Sequence, residues 1–119
     1  MISTIILSLI TYFYLLHQLN TSSLKLKEYL ISNNLKDIHL VLSESMNKRF
    51  NTFSRRIILH QFSKKVDNIS IHGVSFQRKS FDATIDFEDT NYMEINMIFE
   101  NNQWKIDNLF LSSPLALRR

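Results

Sequence analysis

The spacing of hydrophobic positions changes twice along the chain. From Met1 to Leu24 they are almost continuous: MISTIILSLITYFYLL mixes Ile, Leu, Phe and Tyr with Ser and Thr, and no Asp, Glu, Lys or Arg precedes Lys25. From Lys25 to Val66 apolar residues recur three and four apart, the helical spacing. After Asp67-Asn68 they alternate, the strand spacing. The pattern predicts an apolar leader, then helices, then strands.

In the helical part, Thr21-Ser22-Ser23 offers N-cap residues for a helix to about Asn33, with Leu26, Tyr29 and Leu30 on one side. Asn33-Asn34 breaks it. A second helix is predicted from about Leu35 to Arg49, with Leu35, Ile38, Leu42 and Met46 as its stripe. Asn51-Thr52 caps a third, whose apolar positions are Phe53, Ile57, Ile58, Phe62 and Val66.

Four strands follow. Ile69 and Ile71 alternate, Gly73 marks a bulge, and Val74 and Phe76 continue. Arg78-Lys79 turns the chain into the cleanest strand, with Phe81, Ala83, Ile85 and Phe87 facing one side. Met93, Ile95, Met97 and Phe99 form the inward set of the third. Asn101-Asn102 suits the positive φ of a two-residue hairpin turn. In that register Trp104 opposes Phe99 and Ile106 opposes Met97. Leu109 and Leu111 have the wrong parity, which predicts a bulge near Asp107-Asn108. The expected fold is α+β: three helices packed on a curved four-stranded antiparallel sheet, preceded by an apolar N-terminal helix.

The leader has three readings. Residues 1–20 are long enough for a membrane anchor, a cleaved signal peptide is the rival, and an apolar helix packed on the domain is the third. The signal-peptide reading lacks a basic n-region and a small-x-small cleavage site. The folded domain is expected over 22–111, with a tail over 112–119. Three basic residues, Lys25, Lys27 and Lys36, follow the leader and none precedes it, which favours a cytoplasmic C-terminal side. This opposes the extracytoplasmic location that the export readings imply.

Composition narrows the chemistry. The 119 residues contain no Cys, which removes disulfides and thiolate chemistry, and a single Gly and a single Pro, which argue for packed elements over loops. The net charge of +3 hides an asymmetry: Lys25–Lys65 holds nine Lys/Arg against three Asp/Glu, and Val66–Leu111 three against eight. The helical half is basic and the sheet half acidic. The ordinary explanation is two oppositely charged solvated faces; the functional one is two partner surfaces.

The order of elements, the Asn-rich break, the Met-Asn-Lys-Arg-Phe stretch at the end of the second helix, and the closing NNQWKIDNLFL resemble the nuclear transport factor 2-like superfamily. The likeness is to small bacterial members in which a Trp-Lys-Ile-Asp segment, here Trp104–Asp107, lies in the last strand. It covers about Ser22 to Leu111. The resemblance implies a curved sheet wrapped over helices into a cone, often with a concave pocket. It also brings in isomerase-like enzymes, transport factors and non-catalytic exported domains. One branch, the membrane-anchored periplasmic scaffold component of type IV secretion systems, pairs a membrane helix with such a domain.

Candidate chemistry is sparse. An isomerase-like site needs a carboxylate base and acids tuned by an apolar pocket, yet the inward positions are Ile, Phe, Met, Ala and Trp. The ligand reading therefore takes Met93, Met97, Phe99 and Trp104 as walls, with Tyr29 and Asp107 as polar groups. His17, His39, His60 and His72 lack metal-ligand spacing, so neither metal nor cofactor is expected. Asp82, Asp86 and Glu94 face outward, with Asp86 and Glu94 expected opposite each other. Arg55, Arg56, Lys64 and Lys65 form a basic surface without the interleaved aromatics of nucleic-acid binders. The sequence thus favours a non-catalytic, membrane-tethered interaction or assembly domain of a secretion or envelope complex, with protein partners or a second copy. The rival is a small-molecule-binding or isomerase-like domain with an apolar pocket in the cone.

Overall fold

The structure is a computed structural model that describes residues 2–34 and 36–112, the side chains of Ile2, Ser3 and Phe53 excepted. The tail beyond Ser112, Leu35 of the second predicted stripe and the Phe53 side chain lie outside the described residues. The leader and the first predicted helix are one element, α1 (Ile2–Ile31). No Gly or Pro lies between Asn20 and Ser23, and continuing a helix needs only one further residue fixed per bond. The predicted cap residues are therefore interior: Ser22 and Ser23 are buried, in line with Leu15, Leu19, Leu26 and Leu30. That stripe at spacings of three and four packs α1 on the sheet, each buried Leu contributing about 2 kcal/mol.

Asn33 ends α1. Its φ of 56° lets the Asn33 N–H donate to Leu30 O (3.3 Å) and the Asn34 N–H to Tyr29 O (2.9 Å), a Schellman closure.

The second predicted helix is shorter than its stripe implied. A 3₁₀ turn (Ile38–Leu40) leads through Leu42 to α2 (Glu44–Arg49). The chain leaves the helical path because Val41–Ser43 serves β4: Ile106 N–H donates to Val41 O (2.7 Å) and Ser43 N–H donates to Ile106 O (2.9 Å). Ser43 Oγ then caps α2 by accepting from Met46 N (3.0 Å). Ile38, Leu42 and Met46 still face the core. Helix α3 (Thr52–Phe62) is capped by Asn51, whose side chain accepts from Ser54 N (2.8 Å). Val66, expected on its stripe, opens β1 and is exposed.

Strands β1 (Val66–Ser75), β2 (Ser80–Phe87), β3 (Tyr92–Glu100) and β4 (Gln103–Leu111) form one antiparallel meander in that order. Phe81, Ala83, Ile85, Phe87, Met93, Ile95, Met97 and Ile106 fill its inner face. The register shifts between Ile71 and Gly73, and the β3–β4 pairing passes from Met97↔Ile106 to Asn96↔Asn108, leaving Asp107 as the extra residue. Trp104 pairs with Phe99, and Asn101 and Asn102 adopt φ of 54° and 63°. The fold is α+β, with helices on one face of a four-stranded antiparallel sheet. The two edges differ: Val41–Ser43 shields β4, while β1 is mostly exposed.

Candidate functional site

The inner face of the sheet is filled. Met93 and Met97 are completely buried members of the hydrophobic core. Phe99 and Trp104, near the β3–β4 turn, are only half-buried, and with Tyr29 they line a cleft of about 380 Å³ between α1 and the hairpin. Of the six residues expected around a pocket, the structure gathers these three. Two more are core.

Asp107 is elsewhere. Its carboxylate accepts from Ser43 Oγ (2.6 Å), and its carbonyl accepts from Arg49 Nη2 (2.7 Å). As the extra residue of the bulge it ties β4 to the cap of α2, and it does not line the cleft. The cleft's polar groups include Tyr14, Gln18 and Lys25 of α1 and Asn102 and Gln103 of the hairpin. Trp104 Nε1 donates to Tyr14 Oη (3.0 Å), and the Trp104 ring meets Phe81 and Phe99 edge-to-face. Among the described residues no carboxylate lines this cleft, and the residues that do line it offer stacking and hydrogen bonding.

The charged candidates fall on two surfaces. Arg56 and Lys65 are exposed, and Arg55 and Lys64 half-buried, around α3 and its C-terminal end. Arg55 Nη2 donates to Thr52 Oγ1 (2.9 Å). Asp82, Asp86 and Glu94 share the outer face of the sheet, but Glu94 pairs with Thr84 and Asp86 with Tyr92. The expected Asp86–Glu94 opposition is therefore corrected to a diagonal, which relieves the like-charge contact. Asp82 Oδ1 accepts from Asn96 Nδ2 (2.7 Å), and His72 Nε2 lies 2.9 Å from Thr84 Oγ1.

One polar cluster escaped the sequence reading. Gln61, buried on α3, reaches the β2–β3 turn: its Nε2 donates to both Asp89 oxygens (3.4 Å each), while Asn91 donates to Asp89 from its backbone (3.1 Å) and its side chain (3.1 Å). Desolvation pulls the Asp89 pKa upward, but the Asn91 and Gln61 hydrogen bonds and the Lys64 charge outweigh it and hold the carboxyl below its ordinary value. The residues come from separate elements, so no local motif announces the cluster.

The leader is the least ordinary surface. Leu15 and Leu19 are core residues, whereas Ile5, Ile6, Leu7, Leu9, Ile10 and Phe13 are between about half and two-thirds exposed. Thr4, Leu7, Ser8, Thr11, Tyr12 and Leu15 border a groove with Ile71 and Val74 of β1 and Phe76 of the β1–β2 turn. Among the described residues no helix is long and apolar enough to cross a membrane. Leu15 and Leu19, inside the 1–20 segment expected as an anchor or signal, are buried in the protein core. No protein-family model matches the sequence, and no curated protein or solved structure matches it.

Proposed function

We propose that this chain is a non-catalytic interaction module of the nuclear transport factor 2-like kind, held at a membrane by the N-terminal part of α1 and acting in assembly through its sheet. The observation that carries the reading is the division of α1 into a core-packed half and an exposed apolar half. Water disfavours so much apolar surface on one short helical segment, and such patches mark membrane or protein contacts. The kinship proposal rests on element order and on the place of Trp104–Asp107 in the last strand. The mostly exposed β1, paired only with β2, offers its outer edge to a partner or a second copy.

The test is fractionation of cells expressing the full chain beside a Leu9→Ser/Phe13→Ser variant. The native chain is expected with membranes and, after detergent extraction, in a species larger than a monomer; the variant is expected to be soluble and folded. A native chain that is soluble and monomeric overturns the proposal.

The half-open cleft beside Trp104 supports a second reading, a small-molecule-binding domain. Aromatic faces from Phe99, Trp104 and Tyr29 with the Lys25 ammonium suit a planar ligand carrying an anionic group. Trp104 fluorescence reports on that cleft directly, and titration with aromatic carboxylates is expected to quench it if this reading holds.

A further inference from the structure

At about 100° per residue, Ile5, Ile6, Leu7, Leu9, Ile10 and Phe13 fan over an arc of roughly 200° of α1, and Thr4, Ser8 and Thr11 occupy the remaining side, toward the β1 edge. In this head of α1, Leu7 reaches the edge of the groove, whereas Ile5, Ile6, Leu9, Ile10 and Phe13 lie on the side away from it and are about half exposed or more. A second copy laid against the head would cover one side of so wide an arc. A medium that surrounds the helix covers all of it.

Beside the head stands the β1–β2 turn, with Phe76, at 78% the most exposed large apolar side chain among the described residues, next to Arg78 and Lys79. Both cations are exposed and in no ion pair among the described residues, and Lys79 shares a groove with Thr11 and Tyr14. Neither the head nor the Ser75–Ser80 turn contains a carboxylate. Tyr12, Tyr14 and Trp104 lie at the base of the head, aromatic residues of the kind that favour the headgroup level.

We propose that the α1 head and Phe76 insert into an anionic membrane, with Arg78 and Lys79 on the lipid headgroups and Trp104 at the water boundary. The inference rests on the membrane-held reading above and specifies its lipid and the place of Trp104. Apolar burial supplies the attachment, and the two cations select anionic surfaces, each by about fivefold.

The test delivers the full-length chain from detergent into vesicles of phosphatidylcholine, alone or with phosphatidylglycerol, and reads flotation and Trp104 quenching by brominated lipids. Trp104 is the sole tryptophan, so the signal has one source. Binding is expected to be tenfold or more tighter on the anionic vesicles, and an Arg78→Gln/Lys79→Gln variant to lose that preference while still floating. Quenching is expected to be strongest from bromines nearest the headgroup. Equal affinity for both vesicle types overturns the anionic selection but leaves the tether standing. Strongest quenching from bromines near the chain ends overturns the boundary position of Trp104. Failure to float with either composition, or a lipid-free dimer that Leu9→Ser dissolves, overturns the membrane reading altogether.

Discussion

Asp89 is held by Gln61 of α3 as well as by its near neighbour Asn91. Its folded pKa is depressed, so its contribution to stability is present above the ordinary carboxylate value near 4 and is lost as pH falls through the lower folded value. Asp89→Asn is therefore expected to lower the urea midpoint at pH 7, and the difference from the native chain is expected to shrink steadily below about pH 4. Denaturation at several pH values checks it; a gap that stays constant into acid removes the ionic clasp. Ser23 presents the opposite case. Its hydroxyl is buried in α1 and finds no hydrogen-bond partner among the described residues. Ser23→Ala removes that orphan and raises helix propensity, so a gain of about 1 kcal/mol is expected in chemical denaturation.

At the level of elements, turns and caps decide where the hydrophobic pattern is cut. Asn33, Asn101 and Asn102 adopt positive φ, and Asn tolerates that region among non-glycine residues. Thr90, in the β2–β3 turn, also has a positive φ, 68°, where a β-branched side chain is strained. Thr90→Gly is expected to stabilise by about 1 kcal/mol, visible as a slower unfolding rate, and a loss of stability would show that the Thr90 side chain compensates for its backbone. The split of the second predicted helix has a similar local logic. Continuing helix through Val41–Ser43 would withdraw the backbone groups that meet Ile106 and leave the β4 edge bare.

The whole molecule is divided by what α1 touches along its length. Leu26 is completely buried, whereas Leu9 is about half exposed on the head. Leu26→Ala is expected to cost about 3 kcal/mol through lost burial and a cavity, while Leu9→Ser is expected to change stability in detergent by less than about 0.5 kcal/mol. Thermal melts of both variants check the division; equal losses would mean that the head belongs to the core. The overall dimensions of 48 × 33 × 24 Å match a helix of about 45 Å laid along a smaller body. Basic groups around α3 and acidic groups on the outer sheet face keep the charge asymmetry seen in the sequence, now as two surfaces.

The local pattern by itself determined the four strands, their alternation, the Asn101-Asn102 turn, the Trp104–Phe99 register and both predicted bulges. Alternation, turn residues and parity are read within a few neighbours, and no distant group has to be known. It also determined that Ile38, Leu42 and Met46 face inward, because a stripe seeks burial whether its backbone is helical or not. Only the tertiary structure decided that the leader and first helix are one element, since nothing local distinguishes a cap serine from a buried interior one. Only it decided that Asp107 ties β4 to α2 and that Gln61 holds Asp89, because those partners are joined through space. The length of exposed apolar helix was decided in the same way. Sequence shows a continuous run, but the end of the head at Tyr14 depends on where the sheet begins to cover Leu15 and Leu19.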